Sequence, residues 1–349
     1  MQNMLITGGC GFIGANFIRY LLTESDFKGR IVNVDKLTYA GNPENLADIE
    51  NDFENRYVFI KADICDGIHM HEIFENYEID SVCHFAAESH VDRSIVQPDA
   101  FIQTNIVGTF NLLEAARLRQ SQIIRFHHIS TDEVYGSLGQ EGYFTETTPY
   151  KPNSPYSASK ASSDHLMRAY YKTYGLPMTI SNCSNNYGPY QFPEKLIPLM
   201  ILNGFEGKSL PVYGDGRNVR DWLYVTDHCK AVWTIMKSGK TGEIYNVGGD
   251  NEMENITIVE MICDILDEIN QLSDHGPRRE LITFVKDRPG HDRRYAIDFT
   301  KLNRELDWTP EASFETGIRD TIEWYLANRK WVERVKSGEY QDWIKAHYA

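Results

Sequence analysis

The chain is poor in the features that mark membrane, secreted and nucleic-acid-binding proteins. None of its apolar runs approaches the roughly 20 residues that a bilayer span needs. The short apolar start is broken by Gly8, Gly9 and Gly11 and has no basic lead-in, which argues against a signal peptide. Basic residues number 35 against 50 acidic ones, giving a net charge of −15. We therefore expect a cytoplasmic protein whose partners include neither nucleic acid nor a membrane.

Cysteine pairs, metal-ligand spacings, repeats and low-complexity linkers are also missing. The six cysteines are scattered and form no CxxC pair, which predicts small buried side chains and no metal site. At 349 residues, of which 42% are hydrophobic, the chain can form one large domain or two smaller ones.

Short apolar runs alternate with helical stretches over the first two-thirds of the chain. The predicted strands are residues 4–7, 31–35, 57–62, 81–86, 124–130 and 178–183, and the predicted helices are 15–22, 70–76, 104–118 and 155–174. A second α/β run follows at 227–236 and 244–247, and 256–269 and 314–336 are predicted to be helical. This alternation indicates an α/β fold, a Rossmann-type doubly wound parallel sheet with a smaller interleaved α/β substrate-binding lobe.

A glycine-rich loop directly follows the first predicted strand. Gly8, Gly11 and Gly14 have the spacing GxxGxxG and precede a helix. In such a loop the glycines allow a tight turn, a close approach of the backbone to a pyrophosphate, and close packing of helix on strand. The phosphates then lie at the helix N-terminus, where free N–H groups face them. The loop alone could be a structural turn, but its context favours dinucleotide binding.

Acidic residues end the next two predicted strands. Asp35 lies about 20 residues beyond the last glycine, where a carboxylate holds the ribose hydroxyls and repels a 2′-phosphate. NAD is therefore favoured over NADP, although Lys36 adjoins this acid. Asp63 can reach the adenine amine, or it is a solvated carboxylate. The predicted NAD-binding domain spans 1–184 with a returning segment at about 221–250, and the lobe takes 185–220 and 251–349.

A tyrosine and a lysine share one face of the helix predicted at 155–174. Ser154 is its predicted N-cap, Pro155 occupies the first helical position, and Tyr156 and Lys160 are four residues apart. A neighbouring ammonium and the positive nicotinamide ring should lower the pKa of the phenol, so that Tyr156 can act as a base.

Two adjacent carboxyl groups follow the strand predicted at 124–130. Asp132 and Glu133 suit an elimination, in which one group removes a carbon-bound proton and the other protonates a departing hydroxyl. Their alternative role is to cap the following turn. Asp35, Asp63, Ser89, Thr131 and Asn185 all follow predicted strand ends, so we expect them to converge on one crevice.

The TGGxGFIG-type loop together with YxxxK is similar to the extended short-chain dehydrogenase/reductases. Within them, the chain resembles the dTDP-glucose 4,6-dehydratases along its whole length. The motifs that carry this resemblance are residues 86–94 (AAESHVDRS), 130–136 (STDEVYG), 182–190 (NCSNNYGPY), 192–198 (FPEKLIP) and 287–295 (DRPGHDRRY). Cys10 departs from the expected loop, and the segment 137–148 is short for the family.

The resemblance implies a mechanism and the residues that carry it. Tyr156 deprotonates the C4 hydroxyl of dTDP-glucose while hydride passes to NAD, Thr131 holds the C4 oxygen, Glu133 removes the C5 proton, and Asp132 protonates the C6 hydroxyl as it leaves. NAD is then tightly bound and regenerated in each turnover. The helices 104–118 and 155–174 pair across a homodimer in similar proteins.

The residues that the resemblance assigns fall into three sets. The catalytic set is Thr131, Asp132, Glu133, Tyr156 and Lys160. The cofactor set is Gly8, Gly11, Phe12, Ile13, Gly14, Asp35, Lys36, Leu37, Thr38, Asp63, Ile64, Phe85, Ala86, Ala87, Glu88, Ser89, Thr104, Tyr156, Lys160 and Asn186. The substrate set is Ser89, Thr131, Asn185, Lys195, Leu196, Pro211, Val212, Tyr213, Arg220, Asn255, Asp287, Arg288, Pro289, Gly290 and His291.

Two other functions compete with this interpretation. A nucleotide-sugar 4-epimerase has the same fold and the same Tyr–Lys pair, but it has no use for Asp132 and Glu133 as an elimination pair. A non-catalytic NAD-sensing regulator could lose Tyr156 or Lys160 without penalty, whereas both are present here.

Overall fold

A computed structural model describes residues 1–270, 276–287 and 290–338. Seven parallel strands form its main sheet, in the order β10-β6-β5-β4-β1-β2-β3. The strands are β1 Asn3–Thr7, β2 Arg30–Asp35, β3 Tyr57–Lys61, β4 Ser81–His84, β5 Arg125–Thr131, β6 Met178–Cys183, β7 Asn185–Tyr187, β8 Leu210–Tyr213, β9 Val219–Tyr224, β10 Ile244–Val247, β11 Glu252–Glu254 and β12 Ile282–Val285.

Helices cover both faces of this sheet. They are α1 Phe12–Thr23, α2 Ala47–Asp52, α3 Gly67–Asn76, α4 Val91–Val96, α5 Pro98–Phe101, α6 Thr109–Leu118, α7 Pro155–Tyr174, α8 Leu196–Phe205, α9 Val225–Ser238, α10 Asn255–Ile269, α11 Thr300–Leu306, α12 Phe314–Ala327 and α13 Arg329–Ser337. Short 3-10 turns occupy Pro43–Leu46, Asp132–Tyr135 and Arg278–Leu281. The predicted fold class is therefore confirmed.

Strand periodicity explains why the sheet is covered twice. Met4 and Ile6 pack into one apolar core with α1 and α9, whereas Leu5 packs into the opposite core with α3, α6 and α7. Successive side chains of a strand point to opposite faces, so a fully apolar strand requires helices on both sides. All three residues are fully buried.

A smaller lobe follows the sixth strand. The strands β7, β9 and β11 form a separate sheet, β8 pairs with β12, and a third core lies among α8, α10 and α12. The chain returns to the main sheet through α9 and β10. The lobe is thus interleaved with the nucleotide-binding fold, as the sequence predicts.

Two predicted helices are interrupted. The helix expected at 104–118 begins as a π-helix at Ile102–Gly108 and becomes α-helical only at Thr109. The tail helix expected at 314–336 breaks at Asn328, whose side chain donates to the carbonyl of Trp324. An asparagine that bonds to the last turn competes with helix continuation, which accounts for the break.

Candidate active site

The glycine loop has the geometry of a pyrophosphate cradle. Gly8 adopts a φ of +72°, and a Cβ there would lie 2.6 Å from the backbone nitrogen of Ala86. A Cβ on Gly14 would lie 2.4 Å from the carbonyl oxygen of Gly8. Gly11 is the N-cap of α1, and no side chain caps this helix. The first N–H groups of α1 therefore remain available to an anion, which fits a dinucleotide phosphate.

Asp35 is held rigidly where β2 ends. Its carboxylate accepts hydrogen bonds from the backbone N–H groups of Cys10 at 2.9 Å and Leu37 at 2.8 Å. Burial raises its pKa. Lys36 points away to pair with Asp63 at 2.6 Å, so neither the lysine nor this second acid is simply solvated. A buried carboxylate fits the two hydroxyls of an NAD ribose and disfavours the phosphate of NADP.

One cleft of ≈ 330 Å³ gathers most of the expected residues at the carboxyl ends of the strands. All five predicted catalytic residues line it, as does the whole cofactor set except Leu37. The five residues expected to converge from separate strand ends, Asp35, Asp63, Ser89, Thr131 and Asn185, line the same cleft. Parallel strands that end at one edge bring together residues far apart in the sequence.

The predicted catalytic tyrosine and lysine lie on the first turns of α7. Ser154 caps this helix, accepting from the backbone of Ser157 at 3.1 Å, which confirms the predicted start. The Lys160 ammonium is buried and donates to the carbonyl of Ile129 at 2.7 Å. The expected lowering of the Tyr156 pKa is not found in the protein alone. Burial and the Glu133 charge raise this pKa well above its usual value, against a hydrogen bond from Thr131.

The acidic pair consists of two chemically different groups. Asp132 is 1% exposed, and burial together with the charge of Glu133 raises its pKa well above its usual value. Glu133 is only partly buried and lines the same cleft. The 3-10 turn is capped by Thr131 and not by either acid, because the Thr131 hydroxyl accepts a hydrogen bond from the backbone N–H of Glu133. Asp132 is thereby suited to donate a proton and Glu133 to accept one.

Part of the predicted substrate set lies beyond the cleft lining. Ser89, Thr131, Asn185 and Lys195 line the cleft. The others that the structure describes lie on the smaller lobe, outside that lining: Leu196, Pro211, Val212, Tyr213, Arg220, Asn255, Asp287, Gly290 and His291. Arg288 and Pro289 fall outside the described residues.

The lobe residues nevertheless adjoin the acidic pair. Arg220 is buried, and its guanidinium stacks 4.3 Å from the ring centroid of Tyr295. The charges of both Glu133 and Arg220 act on the Tyr295 phenol, and that of Arg220 also acts on Asp132. Tyr213 is 44% exposed and faces His291 edge-on at 6.3 Å, so it is not a core residue. A planar base could stack on this exposed ring.

Sequence reasoning missed a group that joins two loops and the helix α4 over the cleft, which we call the rim cluster: Tyr39, Arg93, Phe192 and Glu194. Arg93 lies 3.6 Å from the ring centroid of Tyr39 and 3.3 Å from the Glu194 carboxylate. Phe192 meets Tyr39 edge-on at 5.6 Å. Tyr39, Phe192 and Glu194 line the cleft. The motifs at 86–94 and 192–198 contain three of these residues, which was the available signal.

Asn105 was also missed. It is buried on the π-helix, and its side-chain amide bonds to both backbone groups of Glu88 at 2.8 and 3.0 Å. It also donates to Ser159 at 2.8 Å. The wider turn of a π-helix redirects one side chain, and such turns are frequent at functional sites. Asn105 thereby ties the cofactor loop at Glu88 to the helix that carries Tyr156.

Nowhere in the described part of the chain do three or more His, Cys, Asp or Glu side chains gather as a metal site would require. No helix in the described ranges is long and apolar enough to cross a membrane.

The chain is similar to known sugar-nucleotide enzymes over nearly its whole length. The family model described as GDP-mannose 4,6 dehydratase matches residues 5–321. A dTDP-glucose 4,6-dehydratase of Shigella flexneri is 58% identical and covers 99% of both chains. One from Neisseria meningitidis is 55% identical over 98% of both.

Solved structures show the same likeness. A dTDP-glucose 4,6-dehydratase of Bacillus anthracis in complex with NAD has a TM-score of 0.86 and 46% identity, and covers 96% of this chain and 100% of its own. DesIV, a dTDP-glucose 4,6-dehydratase of Streptomyces venezuelae with NAD and TYD bound, has a TM-score of 0.88, 44% identity and the same coverage. A UDP-glucose 4-epimerase of Thermotoga maritima is 28% identical with a TM-score of 0.83, covering 95% and 100%.

Proposed function

Because this chain belongs to the dTDP-glucose 4,6-dehydratase family, we propose that it converts dTDP-glucose to dTDP-4-dehydro-6-deoxy-glucose and water. The enzyme is an NAD-dependent hydro-lyase. The observation that carries this proposal is the acidic pair, in which a buried Asp132 with a raised pKa adjoins a less buried Glu133 in the cleft.

The residues present fit NAD. The glycine cradle and the open N-terminus of α1 suit the pyrophosphate, and Asp35 suits the adenosine ribose. Tyr156 and Lys160 line the same cleft beyond them. When bound, NAD accepts hydride from C4 of the sugar and returns it to C6.

The chain's own residues move the protons. We propose that Tyr156 takes the proton of the C4 hydroxyl, for which Thr131 positions the oxygen. Burial and Glu133 hold the phenol of Tyr156 protonated in the protein alone, and a bound nicotinamide would supply a positive charge that favours the phenolate.

Elimination then needs a base and an acid. The C4 ketone acidifies the C5 proton, and Glu133 removes it. Asp132 gives its proton to the C6 hydroxyl, which leaves as water. Glu133 then returns its proton to C5 as hydride reaches C6, and the proton that Tyr156 took replaces the one that Asp132 gave. Burial decides which carboxyl is the acid and which is the base, because the group withdrawn from solvent keeps its proton at neutral pH.

The nucleotide end of the substrate fits the smaller lobe. We propose that Lys195, Arg220 and His291 face the diphosphate, and that Tyr213 and Asn255 face the base. The division into 1–184 with about 221–250, and 185–220 with 251–349, stays a prediction, and β9 lies at its junction. We also propose a cytoplasmic homodimer, since the six cysteines are unpaired and residues 102–118 present exposed apolar side chains.

Product analysis tests the function directly. The purified protein is incubated with dTDP-glucose without added NAD, and the sugar nucleotide is followed by mass spectrometry. Loss of one water without net NADH formation is the expected result, and it would show that NAD copurifies. An unchanged mass with a galactose-configured product would mean a 4-epimerase. No change, even after NAD is supplied, would contradict the dehydratase. Other nucleotide sugars would then be tested before the NAD-sensing regulator is considered.

A further inference from the structure

Lys160 contacts a buried histidine, His128, which takes no part in the proposed proton transfers. Its ammonium lies 3.3 Å from Nε2 of His128, and the same Nε2 lies 3.4 Å from Oδ1 of Asp164. His128 is fully buried, and Lys160 and Asp164 are only 4% and 2% exposed. One imidazole nitrogen therefore stands between a buried ammonium and a buried carboxylate.

This nitrogen can serve only one of its two neighbours at a time. Burial and the charge of Lys160 lower the pKa of His128 well below its usual value, so the ring is neutral. A neutral imidazole has one donor and one acceptor nitrogen. When Lys160 is charged, Nε2 accepts from it and Nδ1 carries the proton. When Lys160 is neutral, Nε2 can carry the proton and donate to Asp164. The tautomer of His128 therefore follows the proton on Lys160.

Asp164 supplies the charge that this arrangement needs. Ser130 donates to its carboxylate at 2.7 Å, and the Tyr150 hydroxyl also bonds to it. Burial raises the pKa of Asp164 to about 6, although the charge of Lys160 acts to lower it. Asp164 therefore remains a carboxylate at neutral pH. Burial lowers the pKa of Lys160 to about 8, and Asp164 is the strongest charge that opposes this. Without Asp164 the ammonium would lose its proton more easily.

Other titratable side chains surround His128, Lys160 and Asp164 on the elements packed against them. They are His84 on β4, His127 on β5, Cys183 on β6, His165 on α7, Tyr135 on the 3-10 turn and Tyr150 on the loop before α7. Asp164 is the carboxylate that acts on Lys160 from among the described residues.

We propose that Asp164 and His128 are positioning residues that keep Lys160 charged and direct its remaining N–H into the cleft. The tautomer of His128 changes when Lys160 loses its proton. This inference rests on the proposed function, because it gives both residues a part in the use of Lys160 by a dehydratase.

The first test is the pH dependence of turnover in the holoenzyme. Asp164→Asn should move the basic limb of the kcat profile to lower pH by about one unit or more, because an opposite charge at this range shifts a pKa by about 1–3 units. Asp164→Glu keeps the negative charge and should restore much of the wild-type profile. His127→Gln is the matched control: His127 is also fully buried on β5 but bonds to Thr179 and Ser181 instead.

The second test needs no turnover, and its main result comes from the wild-type protein. The ¹⁵N shifts of histidine-labelled holoenzyme report the tautomer of His128 as the pH is raised through the pKa of Lys160. We expect a change from the Nδ1–H to the Nε2–H form, and at lower pH in Asp164→Asn. A single tautomer throughout, or a shift in the kcat profile that His127→Gln reproduces, would overturn the proposal. If the wild type fails to dehydrate dTDP-glucose, the proposed function fails while this titration still gives its answer.

Discussion

At the scale of single residues, burial assigns different roles to neighbouring groups of the same type. Asp132 and Glu133 are adjacent in the sequence, yet only Asp132 is withdrawn from solvent. Desolvation disfavours a carboxylate, so the buried Asp132 is suited to donate a proton and the more exposed Glu133 to accept one. The 3-10 turn that begins at Asp132 and is capped by Thr131 presents both to one cleft.

Glu133→Gln should stop the elimination while the first oxidation of the sugar continues. A glutamine has nearly the same shape but cannot take the C5 proton, and a lost general base costs about 10²–10⁴ in rate. Reduced nicotinamide should accumulate on the protein when dTDP-glucose is added, as measured by its absorbance in a stopped-flow experiment. If this variant releases water at the wild-type rate, Glu133 is not the base.

Asp132→Asn should lower kcat by a similar factor but make the protein more stable. Because folding raises the pKa of Asp132, its contribution to the free energy of unfolding is fully present below the unfolded pKa of about 3.9. This contribution is lost as the pH rises toward the folded-state pKa. An asparagine does not suffer this loss, so the melting temperature of the variant should exceed that of the wild type increasingly from acidic to neutral pH.

A second buried aspartate provides the control for this measurement. Asp227 is 2% exposed and accepts from the backbone N–H groups of Glu311 and Ala312 at 3.0 and 2.9 Å. Asp227→Asn should therefore lower the melting temperature. A gap between Asp132→Asn and the wild type that does not change with pH would show that Asp132 does not titrate in this window.

At the scale of elements, two loops and a helix that follow different strands are joined across the cleft. The rim cluster links the loop after β2, the helix α4 after β4 and the loop after β7. Glu194 is its centre, since Arg93, His90 and the Tyr39 hydroxyl all approach its carboxylate. Such a cluster restrains the loops on both sides of a bound dinucleotide, which fits a cofactor that is retained between turnovers.

Glu194→Gln should make bound NAD exchange about tenfold faster. The substitution keeps the size of the side chain but weakens charged hydrogen bonds, which contribute about 1.5–3 kcal/mol when well formed. Exchange is measured with isotopically labelled NAD and the purified protein. Asp48→Asn is the control, because it breaks the ion pair with Arg19 outside the cleft. Equal exchange in the two variants would contradict a role for the rim cluster in retention.

At the scale of the whole molecule, an acidic chain binds an anionic substrate by concentrating a few cations. The net charge is −15, yet Arg220 acts on Asp132 with its charge and Lys195 lines the cleft, so both supply local positive charge. Apolar side chains also remain exposed along the helical face of residues 102–118, notably Ile102 at 45%, Phe110 at 43% and Leu118 at 56%. An apolar face of this kind is typical of an interface between subunits.

Phe110→Glu should convert the proposed dimer to a monomer. A carboxylate placed in an apolar interface would be buried without a partner, which costs several kcal/mol. Sedimentation equilibrium should give twice the chain mass of 40.2 kDa for the wild type and about one chain mass for the variant. Phe284→Glu, on a strand of the smaller lobe where Phe284 is 61% exposed, should remain dimeric. A wild-type monomer would refute the proposal.

The sequence by itself determined the local parts of this protein. The alternation of apolar runs predicted the sheet, the spacing of Gly8, Gly11 and Gly14 predicted the cradle, and Ser154 predicted the start of α7. These features depend on neighbours within one or two turns, so short patterns carry them. The motifs also predicted which side chains follow the strand ends.

Only the tertiary structure decided what surrounds those side chains. The position of His128 between Lys160 and Asp164, the rim cluster and the link from Asn105 to Glu88 join segments that are distant along the chain. In the protein alone, burial and Glu133 also outweigh the hydrogen bond from Thr131 and raise the pKa of Tyr156. Desolvation depends on how completely the fold closes over a group, and residue spacing carries no measure of that closure.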